Sequence, residues 1–278
     1  MTGQEFQDLQ FWVARHGQAR DDLDARTIAV ILALYAGVNL YDRAAVDEAA
    51  EAAADTSNTA ALLAAGLMAQ YLATVTSTIT GEDLPAPAVL LAPLRNGADM
   101  RRVFQRPAKL FRRQVAKGVA PAEAFRQAME LAAKLTETNN TLAMRQASQI
   151  TLAELGKRVG ITGYRRILRP ELAKTGSCGL CIVASDRVYK KAQLMPIHDQ
   201  CNCDVLPIIG AVGGTGDPGN SLNNLDLADV YALAGNSSDS YDLKRARVQV
   251  NEHGELGPVL GRASDDFLGP DQLRAEAS

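Results

Sequence analysis

Residues 160–169 read Gly160-Ile-Thr-Gly-Tyr-Arg-Arg-Ile-Leu-Arg. β-Branched and aromatic residues alternate here with polar ones, the period of a strand, and a glycine precedes them. Upstream of Gly160 the apolar residues recur instead at three and four positions, as on helices. A helical first part followed by a strand-bearing second part predicts an α+β protein. It should have a mainly helical N-terminal region and a small mixed α/β domain after it.

The helical signals can be placed one by one. Phe6, Leu9 and Val13 share a face, and Gly17 is the expected stop. Asp21 or Asp22 should cap a second helix carrying Leu23, Ile28, Ile31, Leu32 and Leu34, ending near Gly37. An alanine-rich helix is expected from about Ala44 and another from about Thr59. Pro85, Pro87 and Pro93 mark a loop or boundary. Pro121 suits the first turn of a further helix with Phe125, Met129 and Ala132 at helical spacing. Downstream, residues 210–224 read as a glycine-rich flexible connection, because no Gly-Lys-Ser/Thr completes a phosphate loop. Lys244 to Val250 alternates as a short strand, with a turn at Glu252-His253-Gly254. The resulting division is 1–95 helical, 96–160 helical and basic, 161–262 a C-terminal domain, and 263–278 an acidic tail.

Length and composition fit this outline. The 278 residues (29.7 kDa) are 47% apolar and 22% charged, which excludes wholesale disorder. Aromatics are only 5% of the chain, so abundant alanine favours close-packed helices over a large β-sandwich. No basic segment followed by an apolar run opens the chain, so no secretory leader is expected. Thr56 to Gly81 is uncharged and long enough to span a bilayer. Its many Thr, Ser, Asn and Gln residues favour a buried helix, and no membrane partner is expected.

The net charge of −3 conceals a segregation. Residues 1–60 hold ten acids and four bases (−6), residues 95–175 seventeen bases and six acids (+11), and residues 210–278 eleven acids and five bases (−6). Within the basic middle, Arg102, Arg106, Lys109, Arg113 and Lys117 fall on one face of a helix, with Phe104, Ala108, Phe111 and Val115 opposite. Such a row can be a solvated surface, follow a DNA backbone, or dock on an acidic protein. Pro107 must either kink this helix or start it.

All four cysteines lie between positions 178 and 203. Cys178-x2-Cys181 is followed by His198-x2-Cys201-x-Cys203. A C-x2-C turn aims two sulfurs at one point, and the second group can complete a tetrahedron around zinc. Five candidates exceed four positions: Cys178, Cys181, His198 and Cys201 form the preferred structural set, with Cys203 as the alternate. Buried thiols or two disulfides would produce the same count. Of the remaining histidines, His16 is expected at a helix end, capping carbonyls, and His253 in a turn. A nucleophile with a base and an orienting acid cannot be assembled from these residues.

Three segments together resemble a known family. Gly163-Tyr-Arg-Arg-Ile-Leu-Arg-Pro-Glu-Leu, Gly176-Ser-Cys-Gly-Leu-Cys-Ile-Val-Ala-Ser-Asp-Arg-Val-Tyr and Leu194-Met-Pro-Ile-His-Asp-Gln-Cys-Asn-Cys are similar to the MuF-like minor capsid proteins of tailed bacteriophages, particularly those from phages of actinobacteria. Arg106-Pro107, Gly118, Glu123-Ala124 and His253-Gly-Glu-Leu-Gly-Pro258 look like the same subgroup, so the likeness spans about residues 100–262. It implies a minor structural protein of the head, near the portal, acting in head assembly and in genome packaging or release; with no catalytic set to accompany it, no enzymatic activity is expected. It further implies the portal protein, the major capsid protein and packaged double-stranded DNA as partners. Its location would be the virion, and the host cytoplasm during assembly. Two other readings stay open: a zinc-knuckle nucleic-acid-binding module, and a metal-dependent hydrolase or toxin using Asp199 or Asp204 beside an open metal position.

Overall fold

The computed structural model describes residues 2–167, 185, 187–190, 203–223 and 248–262, with side chains in the last segment for 253–256. The fold is α+β. Among the described residues α1 (Gly3–Ala36), α2 (Arg43–Thr80), α3 (Met100–Phe104), α4 (Arg106–Ala116) and α5 (Pro121–Leu155) precede a series of short strands. These are β1 (Ile161–Ile167), β2 (Val188–Tyr189), β3 (Asp204–Ile209), β4 (Val248–His253) and β5 (Gly257–Arg262).

Helices α1, α2 and α5 have 34, 38 and 35 residues and pack along one another. At 1.5 Å per residue they form a bundle about 50 Å long. Each end has a local cause. Thr2 and Glu5 cap α1 reciprocally, each side chain bonding the other's backbone N–H. The Asp42 carboxylate accepts from the N–H groups of Ala44 and Ala45 at the start of α2. Gly81, at φ 73°, ends α2 in the left-handed conformation. Pro121 opens α5 as expected.

Two pairs of expected helices prove to be single ones. Gly17 lies buried inside α1 rather than at its end, and α2 runs through Thr59 without a break. An interior glycine costs a helix roughly 1 kcal/mol, less than burial of Leu9, Val13, Ile31 and Tyr35 on the same helix returns. The uncharged half of α2 packs Ala61, Ala64, Ala65, Met68, Leu72 and Val75 into the bundle. Its hydroxyls are satisfied within the helix: Thr74, Thr76, Ser77, Thr78 and Thr80 each donate to the carbonyl four residues back. This helix is long and apolar enough to cross a membrane, and half of its most apolar stretch is buried against its neighbours.

The bundle holds two apolar clusters. One gathers Leu9, Val13, Met68, Leu72, Leu142 and Leu152 beside β1 and β3; the other gathers Ile31, Tyr35, Val46, Phe104, Phe111 and Leu135. A buried polar belt lies between them along all three long helices. Asn139 donates to Ser57 Oγ (2.8 Å) and accepts from Arg95 Nε (2.6 Å). Asn140 donates to Asp24 (2.6 Å), and Arg20 to Thr141 (3.3 Å).

Strands β2, β1 and β3 form an antiparallel sheet in that order, with Ile167 opposite Asp204. The strand expected after Gly160 is thus present as β1. Strands β4 and β5 make a separate hairpin whose turn is Gly254–Leu256. In the glycine-rich segment after β3, residues 210–215 form exposed turns, in keeping with the loop expected, whereas residues 217–219 are buried. Asp217 is buried in a bidentate ion pair with Arg165 (3.1 and 2.8 Å), and residues 218–223 are helical. Gly216 lets the chain pass against Ile209, whose carbonyl carbon would lie 2.9 Å from an added Cβ.

Candidate functional site

Of the five proposed metal ligands, Cys178, Cys181, His198 and Cys201 lie outside the described residues. Cys203 is within them and is buried, one residue before β3. Because Ile167 pairs with Asp204, the chain leaves β1 and re-enters β3 at the same end of the sheet. Among the described residues no group of three or more His, Cys, Asp or Glu side chains converges as a metal cage.

Beside this sheet end lies a pair that sequence reasoning missed. His16 Nδ1 lies 2.8 Å from Asp204 Oδ1, and the two side chains are 3% and 1% exposed. The imidazole is stacked on Tyr71, with centroids 4.2 Å apart. With Nδ1–H donating to the carboxylate, Nε2 is buried without a hydrogen-bond partner. His16 therefore sits in mid-helix and joins α1 to β3; it does not cap a helix end. No local signal marks the pair, because its members are 188 positions apart.

The basic row is divided. Of the two expectations for Pro107, a kink or a start, the second holds: Gln105 separates α3 from α4, and Pro107 occupies the first turn of α4. Proline lacks the N–H that a helix interior needs, so the chain restarts there. Phe104, Ala108 and Phe111 are buried as their spacing predicts. Arg102, Lys109, Arg113 and Lys117 are exposed. Arg106 instead turns toward the hairpin and bonds both carboxylate oxygens of Glu255.

Glu255 is the centre of a clamp. It also accepts from Arg95 Nη1 (3.0 Å), while Asn96 donates to Gly254 O (2.6 Å) and Arg145 to Leu256 O (2.5 Å). Arg95 and Asn96 reach it from left-handed backbone, at φ 51° and 53°. Non-glycine residues hold such angles only where the surroundings over-determine them. Burial pulls the Glu255 carboxyl upward, but hydrogen bonds and charge from Arg106 and Arg95 outweigh it and hold it below the ordinary range. His253 Nδ1 accepts from the N–H groups of Glu255 and Leu256 (3.1 and 3.3 Å). Burial lowers its pKa against the pull of Glu255, and the Arg95 and Arg106 charges add to the lowering. A neutral imidazole is what these two donors require.

No family model, curated protein or solved structure matches the chain.

Proposed function

We propose that the chain is a structural, non-enzymatic minor capsid protein of a tailed phage, acting near the portal in head assembly and in genome packaging or release. The observation that carries this reading is the ordered run of motifs around Cys178-x2-Cys181 and His198-x2-Cys201-x-Cys203, similar to the MuF-like proteins. The register of the sheet supports a clasped loop, since both ends of segment 168–203 are tied together where Ile167 meets Asp204. Sulfur at the buried Cys203 would suit zinc better than a hard cation. Cys178, Cys181, His198 and Cys201, with Cys203 as the alternate, would hold the ion. When bound, it would supply a cross-link to a small domain and no reaction step.

The long bundle would serve as the part that docks on the portal protein and the major capsid protein. The exposed cations Arg102, Lys109, Arg113 and Lys117 would meet packaged double-stranded DNA or an acidic protein neighbour. The virion, and the host cytoplasm before assembly, would be its locations.

The deciding experiment is protein identification in purified particles together with a density map of their portal region. The chain is expected in both; absence from both defeats the proposal. Metal analysis tests the zinc component separately. Purified protein should carry zinc, and Cys178→Ser and His198→Ala should each reduce it. Unchanged metal content in both variants would remove zinc from the reading.

A further inference from the structure

Two exposed helix faces of opposite charge lie on this one molecule. Lys109, Arg113 and Lys117 line the outside of α4, spaced by four residues, and span about 12 Å at the helical rise. Glu48, Glu51 and Asp55 line the outside of α2 and span about 10 Å. The three cations, Glu48 and Asp55 have no ion-pair partner among the described residues, and Glu51 has only a 4.0 Å approach to Arg101. Within a single chain the two rows leave each other unneutralised. Each also has an apolar neighbour in reach of solvent: Tyr41, 59% exposed and packed edge-on to Phe111 of α4, and Leu62 and Leu63 farther along α2.

We infer that these rows dock against each other between copies, the α4 face of one chain on the α2 face of the next. Matching length, opposite sign and adjoining apolar side chains make a second copy the fitting occupant of each face. The two faces are different surfaces, so the contact is either reciprocal, in a two-fold dimer, or head-to-tail, building a ring if the rotation closes and a filament if it does not. This inference stands on the charge rows and is independent of the head-protein reading.

Sedimentation velocity of the full chain at low and high salt tests it. Wild-type protein should associate at low salt and dissociate as salt screens the rows. Lys109→Glu with Arg113→Glu should weaken association roughly tenfold or more, as should Glu48→Lys with Asp55→Lys, because like charges then face each other. Circular dichroism of each variant should match the wild type, since all four side chains lie at the surface. An equimolar mixture of the two doubly substituted proteins should associate again, since the α4 face of the first then complements the α2 face of the second. A wild type that stays monomeric at low salt overturns the inference, as does a mixture that stays dissociated. Loss of binding to a short DNA duplex in the first variant, with monomeric wild type, would assign the α4 row to nucleic acid instead.

Discussion

His16 and Asp204 lie 2.8 Å apart although 188 positions separate them in the chain. Their contact joins the first helix to the third strand and encloses two titratable side chains between the bundle and the sheet. Removing one member of a buried hydrogen-bonded pair strands the other, at a cost of about 3–5 kcal/mol. His16→Ala should therefore lower unfolding free energy by roughly that amount in urea titration. Asp204→Asn, which keeps an acceptor for Nδ1–H, should cost less. Equal stability of His16→Ala and wild type would show the contact to be dispensable.

The Glu255 clamp makes a second prediction. Glu255→Ala leaves the buried Arg95 guanidinium without its carboxylate and frees Arg106. Hydrogen exchange should then quicken across residues 248–262 while the α2–α5 contact keeps its protection. Arg106→Ala, which removes the more exposed partner, should loosen the hairpin less than Arg95→Ala. Unchanged exchange in the hairpin of Glu255→Ala would refute the clamp.

Stability should fall in two stages on acidification. His253 is held below its ordinary value of 6.5, so the unfolded chain takes up its proton first. Its contribution is complete above 6.5 and is lost as pH falls toward the folded value. Asp217 and Glu255 are likewise held below ordinary values of 3.8 and 4.5. For Asp217, burial raises the pKa, but Arg165 and the Gly213 N–H overcome it. Their stabilisation is present above those values and disappears as pH drops through the folded ones. Melting temperature against pH should show both legs, with His253→Leu flattening the upper and Asp217→Asn the lower.

Glycine substitutions should have opposite signs at two positions. At Gly216 a Cβ would meet Ile209 backbone, with its carbonyl carbon at 2.9 Å, so Gly216→Ala must displace the segment that carries Asp217. Gly66 is an exposed position within α2 with nothing within 4 Å of an added Cβ. Gly66→Ala should stabilise by about 0.5–1 kcal/mol through helix propensity alone. Thermal denaturation of the two variants distinguishes them directly.

Features fixed by short-range pattern were legible in the sequence: the buried face of Phe104, Ala108 and Phe111, the start of α5 at Pro121, and the strand after Gly160. Local punctuation misled at Gly17 and at Gly219, while Gly210, Gly213 and Gly214 stand in exposed turns as their composition predicts. At the packed positions long-range contacts outweigh glycine's preference for breaks, through the His16 contact and the Asp217–Arg165 pair. The partners of Arg106 and His16 could not be read from neighbours, because they come from the far end of the chain. Of the candidate metal site, only Cys203 falls among the described residues, so the sulfur cluster rests on its spacing.

The polar belt across the bundle has a consequence for assembly. Sliding α5 along α2 by one turn would set Asn139 among alanines and take from Arg95 Nε its acceptor. Alanine faces alone are nearly self-similar and would tolerate several alignments. Ser57, Asn139 and Arg95 thus act as a keyed notch that penalises mis-seated helices.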